Sequence, residues 1–218
     1  MDFRLRRERM VQRLSDSGIQ DPAVLRAFQE VPRHLFVEEA LREKAYGTHA
    51  LPIGFRQTIS QPEIAARMTE MLQIRPQDRV LEVGTGSGYQ AAILARLASE
   101  VLTVERIPQL ARRAQQVLLS LELGNVRVKV CDGSLGLGEG ETFDAILVAA
   151  AAPEVPHPLL RHLAPAGRMV IPVGGGRGQH LIRIVREADS FRTEDCGPCR
   201  FVKLVGRSRW ANLPEPPR

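Results

Sequence analysis
Apolar residues recur at helical spacing along residues 4–17, with Leu5, Met10, Val11 and Leu14 on one face and arginines on the other. Gly18 ends that helix. Asp21 followed by Pro22 then supplies a capping side chain and a first-turn proline for a second helix running to about residue 30. Val24, Leu25 and Phe28 form its inward face. Residues 31–37 break the pattern, and a third short helix is predicted over 38–44. Residues 45–60 have neither a helical nor a strand period and read as irregular. An unstructured stretch of that length inside a compact chain is usually functional. A further helix is predicted from 61 to about 72.

From residue 79 the period changes. Short apolar runs at 80–83, 101–104, 126–130, 144–148 and 169–173 alternate with helical segments at 91–95, 107–121 and 159–163. Strands alternating with helices predict an α/β fold, doubly wound around a mostly parallel sheet. After Gly174 two apolar runs remain, 180–186 and 201–205, with no helix between them. They are predicted to close the sheet as a C-terminal antiparallel hairpin. Residues 207–218 contain three prolines and read as a loose tail. The organisation expected is one globular domain: N-terminal helices and an irregular segment over 1–60, an α/β core over 61–206, and the tail.

The first predicted strand, Val80-Leu81-Glu82-Val83, runs into Gly84-Thr85-Gly86-Ser87-Gly88 and then into a helix. A strand that turns through glycines into a helix brings backbone N–H groups and bare Cα atoms against a ligand. The dinucleotide fingerprint G-x-G-x-x-G needs a third glycine at the position held by Tyr89, and no Gly-Lys-Ser/Thr follows to make a P-loop. In open α/β sheets ligands lie at the carboxyl ends of the strands. Glu105 ends the second strand there and can accept from two ribose hydroxyls, or can lie at the surface beside Arg106. Asp132 can accept from an exocyclic amino group, with Gly133 admitting the ring, or can be a plain turn aspartate. Glu82 can reach the ligand or satisfy backbone groups beneath the loop, and the second is expected.

Composition narrows the field without deciding it. The chain has 218 residues, 44% hydrophobic and 25% charged, which is ordinary for a soluble globular protein. No apolar run approaches the roughly 20 residues that span a membrane. The first residues are basic but lack an apolar stretch after them, so no secretory signal is expected. Three cysteines do not make a disulfide framework, and a cytoplasmic protein is expected. The net charge of +5 is spread over scattered arginines, and aromatics are only 5%, so a basic-leaning surface is preferred to a nucleic-acid platform.

The G-x-G-x-G loop after an acidic strand end resembles the S-adenosyl-L-methionine loop of class I methyltransferases. That resemblance makes Gly84, Thr85, Gly86, Ser87 and Gly88 candidate cofactor-binding residues, with Glu105, Asp132 and Gly133, and implies a Rossmann-like sheet. The position after the fourth strand reads Ala149-Ala150-Ala151-Ala152-Pro153, without the Asp/Asn-Pro-Pro-aromatic of amino-methylating DNA enzymes or the Pro-Cys of cytosine-carbon enzymes. A longer set of motifs is more specific. Val31-Pro32-Arg33-His34, Leu51-Pro52-Ile53-Gly54, Gln57-Thr58-Ile59-Ser60-Gln61-Pro62, Val104-Glu105-Arg106, Phe143-Asp144-Ala145-Ile146, Ile171-Pro172-Val173-Gly174 and Arg200-Phe201-Val202 closely resemble the protein-L-isoaspartate O-methyltransferase family. The resemblance covers roughly residues 10–206. It implies methyl transfer from S-adenosyl-L-methionine to the α-carboxylate of L-isoaspartyl residues in damaged proteins, by a monomer that needs no metal, nucleic acid or membrane. A methyltransferase acting on another carboxylate or a small molecule, and a non-catalytic cofactor-binding module, are the alternatives.

The resemblance marks Ser60 as the active-site position, with Thr58 beside it as a second donor to the substrate carboxylate. Thr58 and Ile59 are also expected at the cofactor. Read from the residues alone, Ser60-Gln61-Pro62-Glu63 is a capping box for the next helix. Arg33 and His34 offer a cation for an anionic substrate, or are surface groups, with His34 also readable as a structural hydrogen bonder. Ile171 and Val173 are placed in the peptide groove by the resemblance, and the same run is also an ordinary fifth strand. The chain departs from the family at Arg56, where glycine is usual, and at Glu38, Cys131, Leu137 and Lys203. An arginine takes a positive backbone φ only at a cost. Cys196-Gly197-Pro198-Cys199 has the thioredoxin spacing but lacks a following helix, so a turn between hairpin strands is expected rather than redox catalysis.

Overall fold
The computed structural model describes residues 2–138, 140–175, 178–188 and 190–206. The tail expected over 207–218 lies outside the described residues. Helix α1 (Phe3–Asp16) starts where Asp2 accepts from the backbone N–H of Arg4, at 2.9 Å, and of Leu5. It stops at Gly18, whose φ of +104° suits glycine. Helix α2 (Pro22–Glu30) is capped by the Asp21 side chain on the Ala23 N–H, with proline in its first turn. Each cap satisfies a donor the helix itself leaves unpaired.

Arg33–Phe36 and Glu39–Lys44 form 3-10 turns, the second where a short helix is expected over 38–44. Residues 45–60, expected to be irregular, hold more structure than their sequence suggests: β1 (Leu51–Gly54) and β2 (Gln57–Ile59) form a small antiparallel hairpin. Its tip is left-handed at Gly54 (φ +90°), Phe55 (+53°) and Arg56 (+57°). The short loop matches the twist of the two strands only with positive φ at its central residues. Arg56 therefore adopts the costly conformation, partly offset at the neighbouring residue by Arg113 lying over the Phe55 ring.

Helix α3 (Pro62–Met71) leads into the main sheet. In chain order follow β3 (Arg79–Val83), α4 (Tyr89–Ala95), β4 (Glu100–Glu105), α5 (Pro108–Ser120), β5 (Val126–Val130), β6 (Phe143–Val148), α6 (His157–Leu160), β7 (Leu163–Gly175), β8 (Gly178–Glu187) and β9 (Ser190–Cys199). The seven strands are ordered β5-β4-β3-β6-β7-β8-β9. The first five are parallel, and β8 and β9 add antiparallel. The expected doubly wound sheet and closing hairpin are present, but the hairpin's second strand is Ser190–Cys199, not residues 201–205. A charged strand with little apolar content forms there because β8 offers it a ladder, interrupted only by a register shift between His180 and Ile182. The more apolar 201–205 run instead crosses the carboxyl edge of the sheet. It meets the sheet through one parallel bridge, Ala151 to Lys203, and through hydrogen bonds that include those from Ala151 N–H to Val202 O (2.8 Å) and from Leu204 N–H to Ala151 O (2.7 Å).

The two faces of the sheet carry separate apolar layers. One joins Val80, Val101, Ala145 and Val170 to α4, α3 and the N-terminal helices; the other joins Leu81, Val104, Ile146, Met169 and Ile171 to α6. At the opposite end from the glycine loop, buried Arg168 closes a polar clamp. It pairs with Asp78 at 2.7 Å and donates to the carbonyls of Leu72 and Asp144. Replacing water by a matched carboxylate and carbonyls is what makes such a buried charge tolerable. Among the described residues no helix is long and apolar enough to cross a membrane, and no cluster of three or more His, Cys, Asp or Glu side chains could hold a metal.

Candidate active site
The turn between β3 and α4 is held down on β4. Gly84 N–H and Thr85 N–H both donate to Val104 O, at 2.9 and 3.1 Å, and Gly86 N–H donates to Glu105 Oε2 at 2.9 Å. Gly84, Gly86 and Gly88 all have positive φ. Gly88 opens α4, and a Cβ there would meet Ala114 of α5 at 3.1 Å. This glycine serves packing, and it does not line the cleft. Tyr89 follows it, buried edge-on against Phe28 and Phe36, so the helix behind the loop is locked to the N-terminal layer.

Over the carboxyl ends of β3, β4, β5 and β6 lies a cleft enclosing about 1000 Å³, partly open to solvent. Gly84, Thr85, Gly86, Ser87, Glu105, Asp132 and Gly133 line it from the sheet side, and Thr58, Ile59 and Ser60 from the β2 side. A second recess, lined by Thr58, Ser60, Gln61, Ala149, Arg200 and Phe201 among others, adjoins the first and shares Thr58, Ser60, Ala149, Phe201 and Val202 with it. Ser60 thus stands at the junction. Its side chain does not cap α3: the N-cap is Gln61, without a side-chain bond, so the capping-box reading fails. The proline at 62 fixes the chain entering the helix and leaves the Ser60 hydroxyl free to face the recess.

The carboxylates of the cleft are arranged differently from one another. Glu105 is 7% exposed and accepts backbone N–H bonds on both oxygens, from Gly86 and from Ile107 at 2.9 Å. Each oxygen keeps a lone pair for a ligand hydroxyl. Asp132 accepts from Ser134 N–H and its hydroxyl and caps a 3-10 turn. Gly133 is required by the sheet, because a Cβ would lie 2.7 Å from Val83 and 2.8 Å from Val104; it is packing below, not only room above, that excludes a side chain. Glu82 does not serve backbone groups. It accepts from Thr103 Oγ1 at 2.5 Å, Thr103 in turn meets Thr85 Oγ1 at 2.6 Å, and Glu82 Oε1 is buried without a partner. Burial first, and Glu105 nearby, push the Glu82 pKa up to about 8. The unpartnered Glu82 oxygen leaves a hydrogen-bonding position in the wall, and the adjoining carboxylates and glycines fit a nucleoside carrying an amino acid.

Several expected substrate contacts are not in the cleft. Arg33 is 0% exposed; it donates to Ala45 O at 2.7 Å and Ser60 O at 2.6 Å, and its guanidinium lies 4.6 Å from the Tyr89 ring centre. Burial lowers its pKa. It fastens the backbone of Ser60 and cannot meet a substrate. His34 stacks on Phe3 at 4.1 Å and bonds the Tyr46 hydroxyl at 2.7 Å, with its pKa lowered by burial and then by Arg7 and Arg42. It is a structural hydrogen bonder. Ile171 is wholly buried in the sheet, and Val173 pairs with His180 in β7, outside both recesses. Residues that sequence reasoning missed as site residues are Arg200, Phe201 and Val202, hidden because 201–205 is an apolar run that reads as a strand. Cys196 and Cys199 lie in β9 itself. Burial raises both thiols, Cys199 to about 11, which is the reverse of what a redox dithiol needs.

The sequence profile of the protein-L-isoaspartate(D-aspartate) O-methyltransferase family matches residues 5–209. A protein-L-isoaspartate O-methyltransferase of Trichlorobacter lovleyi is 53% identical over 96% of this chain and 98% of its own length. A solved protein-L-isoaspartate O-methyltransferase superposes with a TM-score of 0.84 at 26% identity, over 92% of this chain and 66% of that longer one. A Plasmodium falciparum structure in complex with S-adenosyl-L-homocysteine shares the fold, at TM-score 0.79 and 24% identity over 91% of this chain and 98% of that one. A loop locked on β4, an acid at the end of that strand and a serine between two recesses are thus found on a chain that matches the family over residues 5–209. The chain belongs to the protein-L-isoaspartate O-methyltransferase family of S-adenosyl-L-methionine-dependent enzymes.

Proposed function
We propose that this chain methylates the α-carboxylate of L-isoaspartyl residues in damaged proteins, at the junction of its two recesses. The observation that carries this reading is the position of Ser60, exposed to both recesses and held from behind by Arg33. Gly84, Gly86, Glu105, Glu82 and Asp132 would hold S-adenosyl-L-methionine. When bound, that group supplies an electrophilic methyl on a positively charged sulfur, which leaves as a neutral thioether once the new O–CH3 bond has formed. The substrate carboxylate is already an anion at neutral pH, so no general base is needed. Ser60 and Thr58 donate to one carboxylate oxygen and leave the other to attack. Orientation of that kind can supply much of a rate. Esterification removes the negative charge and sets up collapse to a succinimide.

The chain works as one globular unit, with residues 1–60 facing the substrate and 61–206 forming the core. A cytoplasmic monomer acting on proteins is the setting we propose. The three unpaired thiols suit a reducing compartment. The test is transfer of labelled methyl to a short L-isoaspartyl peptide, beside the same peptide with normal aspartate. Base-labile label on the first alone is the expected result. Label on neither, with cofactor binding intact, would refute the reading.

A further inference from the structure
We propose that Arg200 is the substrate-binding cation: its guanidinium takes one oxygen of the L-isoaspartyl α-carboxylate and leaves the other for the methyl. The inference rests on the repair reading above and names a residue that reading does not supply. The inner cleft carries both signs, with Glu105 and Asp132 but also Arg106 and Lys203 in its wall. The outer recess is lined by Ala50, Thr58, Ser60, Gln61, Ile64, Ala149, Arg200, Phe201 and Val202, so among the described residues Arg200 is its one charged group. Arg200 is exposed, and its side chain makes no hydrogen bond or ion pair within the described residues. An unspent cation beside two hydroxyls is the chemistry that captures a carboxylate.

The backbone there is also held in place. Gln179 Nε2 donates to Phe201 O at 3.1 Å, and Phe201 N–H donates to Gln179 Oε1 at 2.6 Å, a two-bond clamp on the residue next to Arg200. On the other side Cys199 is registered against Gln179 in the β8–β9 ladder. Arg200 therefore projects from a segment fixed at both neighbours, so binding orders only its own side chain. The charge also gives direction to turnover. The carboxylate is an anion and the ester is neutral, so the guanidinium loses its partner when the reaction is complete.

The test uses the full chain and an amidated, N-acetylated peptide in which the L-isoaspartyl carboxylate is the sole anion. A charge-assisted hydrogen bond lost from a binding step corresponds to roughly a 10- to 100-fold change. Arg200→Ala is expected to raise KM by about that factor with kcat within about threefold. Arg200→Lys is expected to recover part of the loss, and cofactor affinity is expected to be unchanged in both. The dependence of kcat/KM on salt should flatten in Arg200→Ala, which a merely structural role would not produce. An unchanged KM in Arg200→Ala, beside an active parent enzyme, would overturn the assignment and leave the repair reading standing. A parent enzyme that binds cofactor but transfers no methyl to this peptide would overturn both.

Discussion

Replacing Glu82 by glutamine removes a buried acid while keeping its size and its bond from Thr103. In the folded protein burial holds the Glu82 pKa near 8, against 4.5 for the exposed group. An acid whose folded pKa is raised binds its proton more tightly folded than unfolded. Its contribution to stability is therefore full below pH 4.5 and is lost as pH rises toward 8. Each pH unit across that window is worth up to about 1.4 kcal/mol, which gives an upper limit of about 5 kcal/mol over the whole span. The assay is urea unfolding of the cofactor-free protein at pH 5, 6, 7 and 8. The parent should lose stability relative to Glu82→Gln steadily across the series, by several kcal/mol at its end. His34, whose pKa is lowered, contributes with the opposite sign below its ordinary value of 6.5, and cancels because both proteins carry it. Parallel pH profiles for the two proteins would refute the reasoning, since they would mean that Glu82 ionises in the fold as it does in water.

Ser60→Ala is expected to reduce methyl transfer to the isoaspartyl peptide by about 10- to 100-fold, the worth of a hydrogen bond to a charged group, while a thermal melt moves by no more than a degree or two. A matching collapse of both would return Ser60 to a structural role. Asp78→Ala leaves the Arg168 guanidinium, 9% exposed, without its carboxylate, and should destabilise the chain by about 3–5 kcal/mol in urea at neutral pH, with cofactor affinity at the far end of the sheet unchanged. Arg56→Gly relieves a φ of +57° that costs an arginine about 1–2 kcal/mol, against up to about 1 kcal/mol of added chain freedom when unfolded, so a small gain in stability is expected by chemical melt. A loss would mean that the arginine side chain holds the tip of the β1–β2 hairpin.

What could be read from the sequence was what local chemistry dictates. Gly18, Asp21 and Pro22 write the end of the first helix and the start of the second, and the run from Val80 to Gly88 writes a strand and a turn in three apolar positions and three glycines, with the helix following over residues 91–95. Glu105, Asp132 and Gly133 followed because a parallel sheet puts its strand ends on one edge. The errors fall where a residue's partner is distant in sequence. Arg33 looks like a free cation until Ala45 and Ser60 turn their carbonyls to it, and nothing within several residues of Arg33 announces that. The 201–205 run is apolar as a buried strand is, but β8 has one open edge, and the chain reaching it first, Ser190–Cys199, takes it. That competition is what leaves residues 200–204 to cross the strand ends, where Arg200 and Val202 become walls of the site. The same physics therefore explains both the misread strand and the missed functional residues: a ladder is satisfied once, and the segment it excludes is free to face a ligand.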